Sequence, residues 1–72
     1  MKLPVISGRE LVRKLQKHGF VVVRQRGSHI RVEKNDERGI PIKITVPDHR
    51  EIKKGTLHRI LKEAHLRPED LT

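Results

Sequence analysis

Two spacings of apolar residues alternate along the chain, and each marks a different kind of element. Leu11, Val12 and Leu15 fall at helical spacing, while Arg9, Arg13, Lys14, Lys17 and His18 fill the remaining positions, so one stripe is built to pack and the rest to face water. Just upstream, Ser7-Gly8-Arg9-Glu10 fits a capping box, in which the serine hydroxyl and the glutamate side chain each satisfy an orphan amide of the first turn. Gly19 suits the left-handed conformation that ends a helix. The pattern predicts a first helix over residues 8–18. Residues 1–6 carry Pro4 and no periodicity, and read as a short tail lying loosely on the domain.

Beyond Gly19 the spacing shifts to two. Residues 20–25 contain three consecutive valines and suit a strand, because β-branched side chains fit a pleated surface; which of its faces points inward stays open. Arg26-Gly27-Ser28 reads as a tight connection. Ile30 and Val32 then point one way, and His29, Arg31 and Glu33 the other, since strand side chains alternate between faces. This places the histidine on the wet side. Asn35-Asp36-Glu37-Arg38-Gly39 has the composition of a hairpin loop. After it, Ile40, Ile42, Ile44 and Val46 share one face of a third strand, opposite Pro41, Lys43 and Thr45. Pro41 cannot donate to a ladder, so this strand lies at an edge.

Pro47 closes the third strand, and residues 48–54 form a charged connection to Leu57, Ile60, Leu61 and Ala64, which recur at helical spacing and define a second helix. No glycine follows that helix, and Pro68 opens one last short turn. The expected architecture is α+β, in the order α-β-β-β-α, as a single domain over residues 1–72. Both helices cover one face of a three-stranded antiparallel sheet, and the other face stays solvated.

Composition narrows the partner. Charged residues make up 36% of the chain, with 17 Lys and Arg against 9 Asp and Glu, for a formal net charge of +8; a polyanion, and nucleic acid first, is the expected ligand. A membrane-surface helix would need a bulky apolar face, and no apolar run reaches signal-peptide or membrane-span length. The expectation is a cytoplasmic protein without a membrane partner. With no cysteine there are no disulfides, thiolate metal sites or thiol nucleophiles. Phe20 is the sole aromatic residue, so RNA contacts must fall mainly on phosphate and ribose and not on stacked bases.

The candidate chemistry centres on His29. Imidazole, with an ordinary pKa near 6.5, can take and return a proton at neutral pH, as cleavage of RNA through its own 2′-hydroxyl requires. Arg24, Arg26 and Arg31 are placed to clamp the scissile phosphate. The alternative is an exposed hairpin histidine in a solvated basic patch, and composition and spacing alone favour it. Lys53-Lys54-Gly55-Thr56, at the start of the second helix, offers amides, a hydroxyl and two ammonium groups to a second phosphate, or is an ordinary helix start; its order is wrong for a nucleotide P-loop. Ser28 is adjacent to His29 and on the alternate face, which is poor geometry for a serine nucleophile; it reads as a donor to a phosphate oxygen. His58 and His65 lie about 10 Å apart along a helix and cannot share a metal ion. His49 is a second proton-transfer group if the fold brings it near His29, and otherwise shapes its loop or binds phosphate.

Four landmarks occur in order: Gly19-Phe20 after a basic helix; Arg24-Gln25-Arg26-Gly27-Ser28-His29; Val46-Pro47 with His49; and Lys54-Gly55-Thr56-Leu57 leading into Ile60-Leu61-Lys62. Together they resemble the HicA toxin family over almost the whole chain. The resemblance implies a fold like the double-stranded-RNA-binding domain, cleavage of messenger RNA without a metal or other cofactor, and neutralisation by a cognate HicB-like antitoxin. It also makes His29, in the Gly-Ser-His motif, the essential histidine. The chain departs from the family at His65, where a glycine is common; a local change of helix-cap geometry is expected there, without effect on chemistry. Two other function classes stand beside this one, a non-catalytic RNA-binding module using the same basic face and an interaction domain defined by a protein partner.

Overall fold

The two spacings become two layers. A computed structural model describes residues 3–71 and contains α1 (Gly8–Lys17), β1 (Val21–Arg26), β2 (His29–Asn35), β3 (Pro41–Pro47), α2 (Lys54–Glu63) and a final 3₁₀ turn (Pro68–Leu71). The strands form an antiparallel meander with β2 in the centre, so β3 is an edge strand, as Pro41 requires. The α+β architecture in the order α-β-β-β-α is that read from the sequence.

Each helix is bounded by its own chemistry. Ser7 Oγ accepts from the Glu10 amide at 3.1 Å, which is the serine half of the capping box; the reciprocal bond from the Glu10 side chain is not made among the described residues. Both helices end in the same Schellman arrangement. In α1 the Phe20 amide donates to Leu15 O and the Gly19 amide to Gln16 O; in α2 the Leu66 amide donates to Leu61 O and the His65 amide to Lys62 O. The left-handed position is Gly19 in the first case (φ 94°) and His65 in the second (φ 60°). The change of cap geometry expected at His65 is not found: the cap keeps the glycine-type geometry, made here by a residue with a Cβ.

The core lies between the helices and one sheet face. Leu11, Val12 and Leu15 of α1 and Leu57, Ile60 and Leu61 of α2 are buried with Ile30, Val32, Ile44 and Val46 of the sheet. Three details differ from the sequence expectation. The N-terminal segment is not loose, because Ile6 is 3% exposed and its carbonyl accepts from the Ile52 amide at 2.9 Å; Met1 and Lys2 lie outside the described residues. The charged connection before α2 likewise contributes Ile52 to the core, also 3% exposed. Ile40, expected on the inner face, is 53% exposed, because pairing of β3 begins one residue later, at Asn35 opposite Pro41. Asp36 holds that loop by accepting from the Arg38 and Ile40 amides.

One close approach positions the far end of the sheet. A Cβ on Gly8 would fall 1.9 Å from the Pro47 carbonyl oxygen, so no larger residue fits without moving backbone. The Gly8 amide meanwhile donates to His49 O at 2.9 Å. The start of α1 is thus seated against the end of β3, beside the turn that carries His29.

Candidate functional site

The site is assembled by strand register. A two-residue connection, Gly27-Ser28, joins β1 to β2, with Gly27 at φ 57°, the conformation that glycine supplies to tight hairpins. It sets Arg26 opposite His29 and Arg24 opposite Arg31, and paired residues of antiparallel strands share a face. Farther along, Val22 pairs with Val32 and so faces inward. Strict alternation from Val22 would turn Arg24 and Arg26 inward as well. The register shift between Val22 and Arg24 prevents this, because Val23 is an extra residue that takes up the mismatch as a β-bulge. Three consecutive valines carry no alternation from which to assign an inward face, and the register shift assigns it.

On the other side of β2, His29 lies opposite Pro47 and Arg31 opposite Thr45. Arg31 Nε donates to Thr45 Oγ1 at 3.3 Å, and Arg31 Nη1 lies 4.0 Å from Glu33 Oε2. Arg24 and Arg26 are exposed and have no ion-pair partner among the described residues. The His29 ring is also exposed, with no hydrogen-bond partner among them.

His29 stands where two shallow hollows meet. One, of about 300 Å³, is lined by Arg24, Arg26, Arg31 and Thr45 as well as His29. The other, of about 430 Å³, runs from His29 and Thr45 to His49, Lys53, Thr56 and Arg59. The sequence-derived residues are thus sorted by the fold. Arg24, Arg26 and Arg31 gather with His29, and Lys53 reaches it from across the second hollow. Lys54 is exposed as the first residue of α2 and lines neither hollow. Ser28 lines neither as well; its carbonyl accepts from the Asp48 amide at 2.7 Å, which ties the His29 turn to the loop bearing His49. The Asp48 carboxylate faces Arg9 Nε at 3.2 Å and Gln25 Nε2 at 3.4 Å.

α2 begins at the second hollow, with Lys53 as an N-cap that makes no side-chain capping bond, so its positive end is directed to the same place as the cations. Thr56 is the hydroxyl of the Lys53-Lys54-Gly55-Thr56 segment, and Arg59 is the lining residue that the sequence reading did not include. The signal for Arg59 is its i, i+3 spacing from Thr56, which puts both at one margin of the Leu57, Ile60 and Leu61 stripe. Arg59 Nη1 also lies 3.1 Å from Glu63 Oε1, an exposed i, i+4 pair worth only a few tenths of a kcal/mol. His58 and His65 line other hollows, away from His29. Among the described residues no three of His, Cys, Asp and Glu converge as a metal site, and no helix is long and apolar enough to cross a membrane.

The arrangement is an open, cationic surface with one imidazole at its centre, suited to an extended anion and to proton transfer at it. No curated protein matched the chain. Residues 8–66, which include every side chain lining the two hollows, match the family described as HicA toxin of bacterial toxin-antitoxin systems, and the chain belongs to that family.

Proposed function

We propose that this toxin is an endoribonuclease of messenger RNA that works in the cytoplasm without a metal and is held inactive by a cognate HicB-like antitoxin. The observation that carries the reading is the register that groups Arg24, Arg26 and Arg31 around His29 on one open face. His29 takes the proton from a 2′-hydroxyl, and that oxygen attacks the adjacent phosphorus. The guanidinium groups hold the phosphate and offset the charge that grows on its oxygens. Lys53 contacts phosphate from the start of α2, and Lys54 and Ser28 contact RNA at the margins of the site.

A second reading has an observation of its own. The His29 ring has no orienting partner among the described residues, whereas many catalytic histidines are held by one, and a non-catalytic RNA-binding module would need none. The two separate cleanly in one assay, RNA incubated in the presence of a chelator. His29→Ala, folded as judged by circular dichroism, is expected to lose about 10²- to 10⁴-fold in cleavage rate while still binding RNA. Replacing the scissile ribose with deoxyribose is expected to stop cutting by the wild type. Cleavage by His29→Ala at the wild-type rate would overturn the catalytic assignment, and salt-sensitive binding with no products from the wild type would establish the binding module.

A further inference from the structure

We infer that His49 is the second proton-transfer group of the site, the acid that protonates the departing 5′-oxygen of the RNA. The inference rests on the ribonuclease reading of His29 and names the partner which that reading requires. Cleavage through the 2′-oxygen moves two protons, one at attack and one at departure. The attacking and leaving oxygens are roughly in line on opposite sides of phosphorus, so one imidazole cannot serve both at once.

The hollow of about 430 Å³ supplies what is needed, and its size falls within the roughly 300–1,000 Å³ typical of ligand sites. His29 contributes from the start of β2 and His49 from the loop between β3 and α2, with Lys53, Arg59, Thr45 and Thr56 completing the polar lining. No carboxylate lines it, so the hollow is matched to an anion. Imidazole is the side chain suited to exchanging protons near neutral pH, and the hollow is lined by two, those of His29 and His49.

The placement of His49 is held by backbone, and its exposed side chain is left to the hollow. Pro47 pairs with His29, the Asp48 amide donates to Ser28 O at 2.7 Å, and the Gly8 amide donates to His49 O at 2.9 Å. Three consecutive residues, Pro47, Asp48 and His49, are therefore tied to the hairpin turn and to α1. Lys53 and Arg59 face the phosphate from the same hollow. The neighbouring Asp48 carboxylate is engaged by Arg9 and Gln25.

The step balances without another reactant. The 2′-hydroxyl gives its proton to neutral His29, and its oxygen forms a bond to phosphorus. The bond from phosphorus to the 5′-oxygen breaks with its electron pair on that oxygen, which takes the proton from His49 imidazolium. The products are a 2′,3′-cyclic phosphate and a 5′-hydroxyl.

The test uses the full chain and two versions of one RNA oligonucleotide, with the cut mapped first on the unmodified form. The second version carries sulfur in place of the bridging 5′-oxygen at that phosphate, and a thiolate leaves without protonation. His49→Gln is expected to cut ordinary RNA about 100-fold or more slowly than wild type, and to cut the sulfur-bridged RNA within a few-fold of it. His29→Ala is expected to be slow on both. Cutting of ordinary RNA by His49→Gln at near the wild-type rate, or an equal loss on both substrates, overturns the assignment. Rescue of His29→Ala instead of His49→Gln by sulfur overturns it too, by exchanging the roles. A wild type that cuts neither RNA overturns the ribonuclease reading itself, and the acid with it.

Discussion

On β2, Ile30 and Val32 are buried against the helices, while their neighbours His29 and Arg31 stand on the opposite face, exposed and half-buried. The same division runs across β3, where Ile44 and Val46 are buried and Lys43 and Thr45 face outward. One face is constrained by volume, because each of its residues fills space that no water can occupy. The other is constrained by charge, and its cations are largely unmatched: Arg24 and Arg26 have no carboxylate partner among the described residues. Positive charge gathered without internal compensation contributes little to folding. It leaves that face open to an anion from outside.

The largest effect should come from the inner face. Ile44→Ala is expected to cost about 2–5 kcal/mol, a large part of the roughly 4–11 kcal/mol typical of a chain this size. Lys43→Ala, one residue away on the outer face, should stay within about 0.5 kcal/mol. Urea unfolding of the two variants compares the faces directly, and equal losses would erase the distinction between them.

The outer face is probed by charge. In a His29→Ala background, chosen because the proposed mechanism makes it unable to cleave, Arg24→Ala with Arg26→Ala should weaken binding to single-stranded RNA. The slope of log affinity against log salt should fall by about 1.4, or about 0.7 for each lost phosphate contact. Fluorescence anisotropy across a salt series measures it. Thermal unfolding of the double variant should match that of its parent; an unchanged slope with reduced stability would make these arginines structural.

The smallest effect is expected at a site belonging to neither face. His65 holds a left-handed conformation at φ 60°, which a residue with a Cβ adopts at a cost. His65→Gly should raise stability by up to about 1 kcal/mol, the gain being trimmed by the greater freedom of glycine in the unfolded chain. Cleavage should not change, since His65 lies in a different hollow from His29. Urea midpoints and initial rates check the two halves of the expectation.

Much of this was legible in the chain. The helical stripes of α1 and α2, the serine half of the N-cap, the glycine end of α1 and the alternation of β2 all depend on residues within a few positions of one another. Local spacing encodes them. The burial of Ile6 and Ile52 was not legible, because neither segment carries an apolar periodicity and the residues each one meets are distant in sequence. The faces of β1 were hidden for another reason. Periodicity assumes unbroken alternation, and the bulge at Val23 breaks it.

By itself, then, the sequence determined the order of elements, the outward direction of His29 and Arg31, and the excess of positive charge, all consequences of composition and near-neighbour spacing. Tertiary structure alone decided that Arg24 and Arg26 share the face of His29, and that His49, Lys53, Thr56 and Arg59 meet it around one hollow. Those meetings depend on cross-strand register, on a bulge, and on α1 seating against β3 through Gly8 and Pro47. Such contacts join residues far apart in the chain, where local periodicity carries no information.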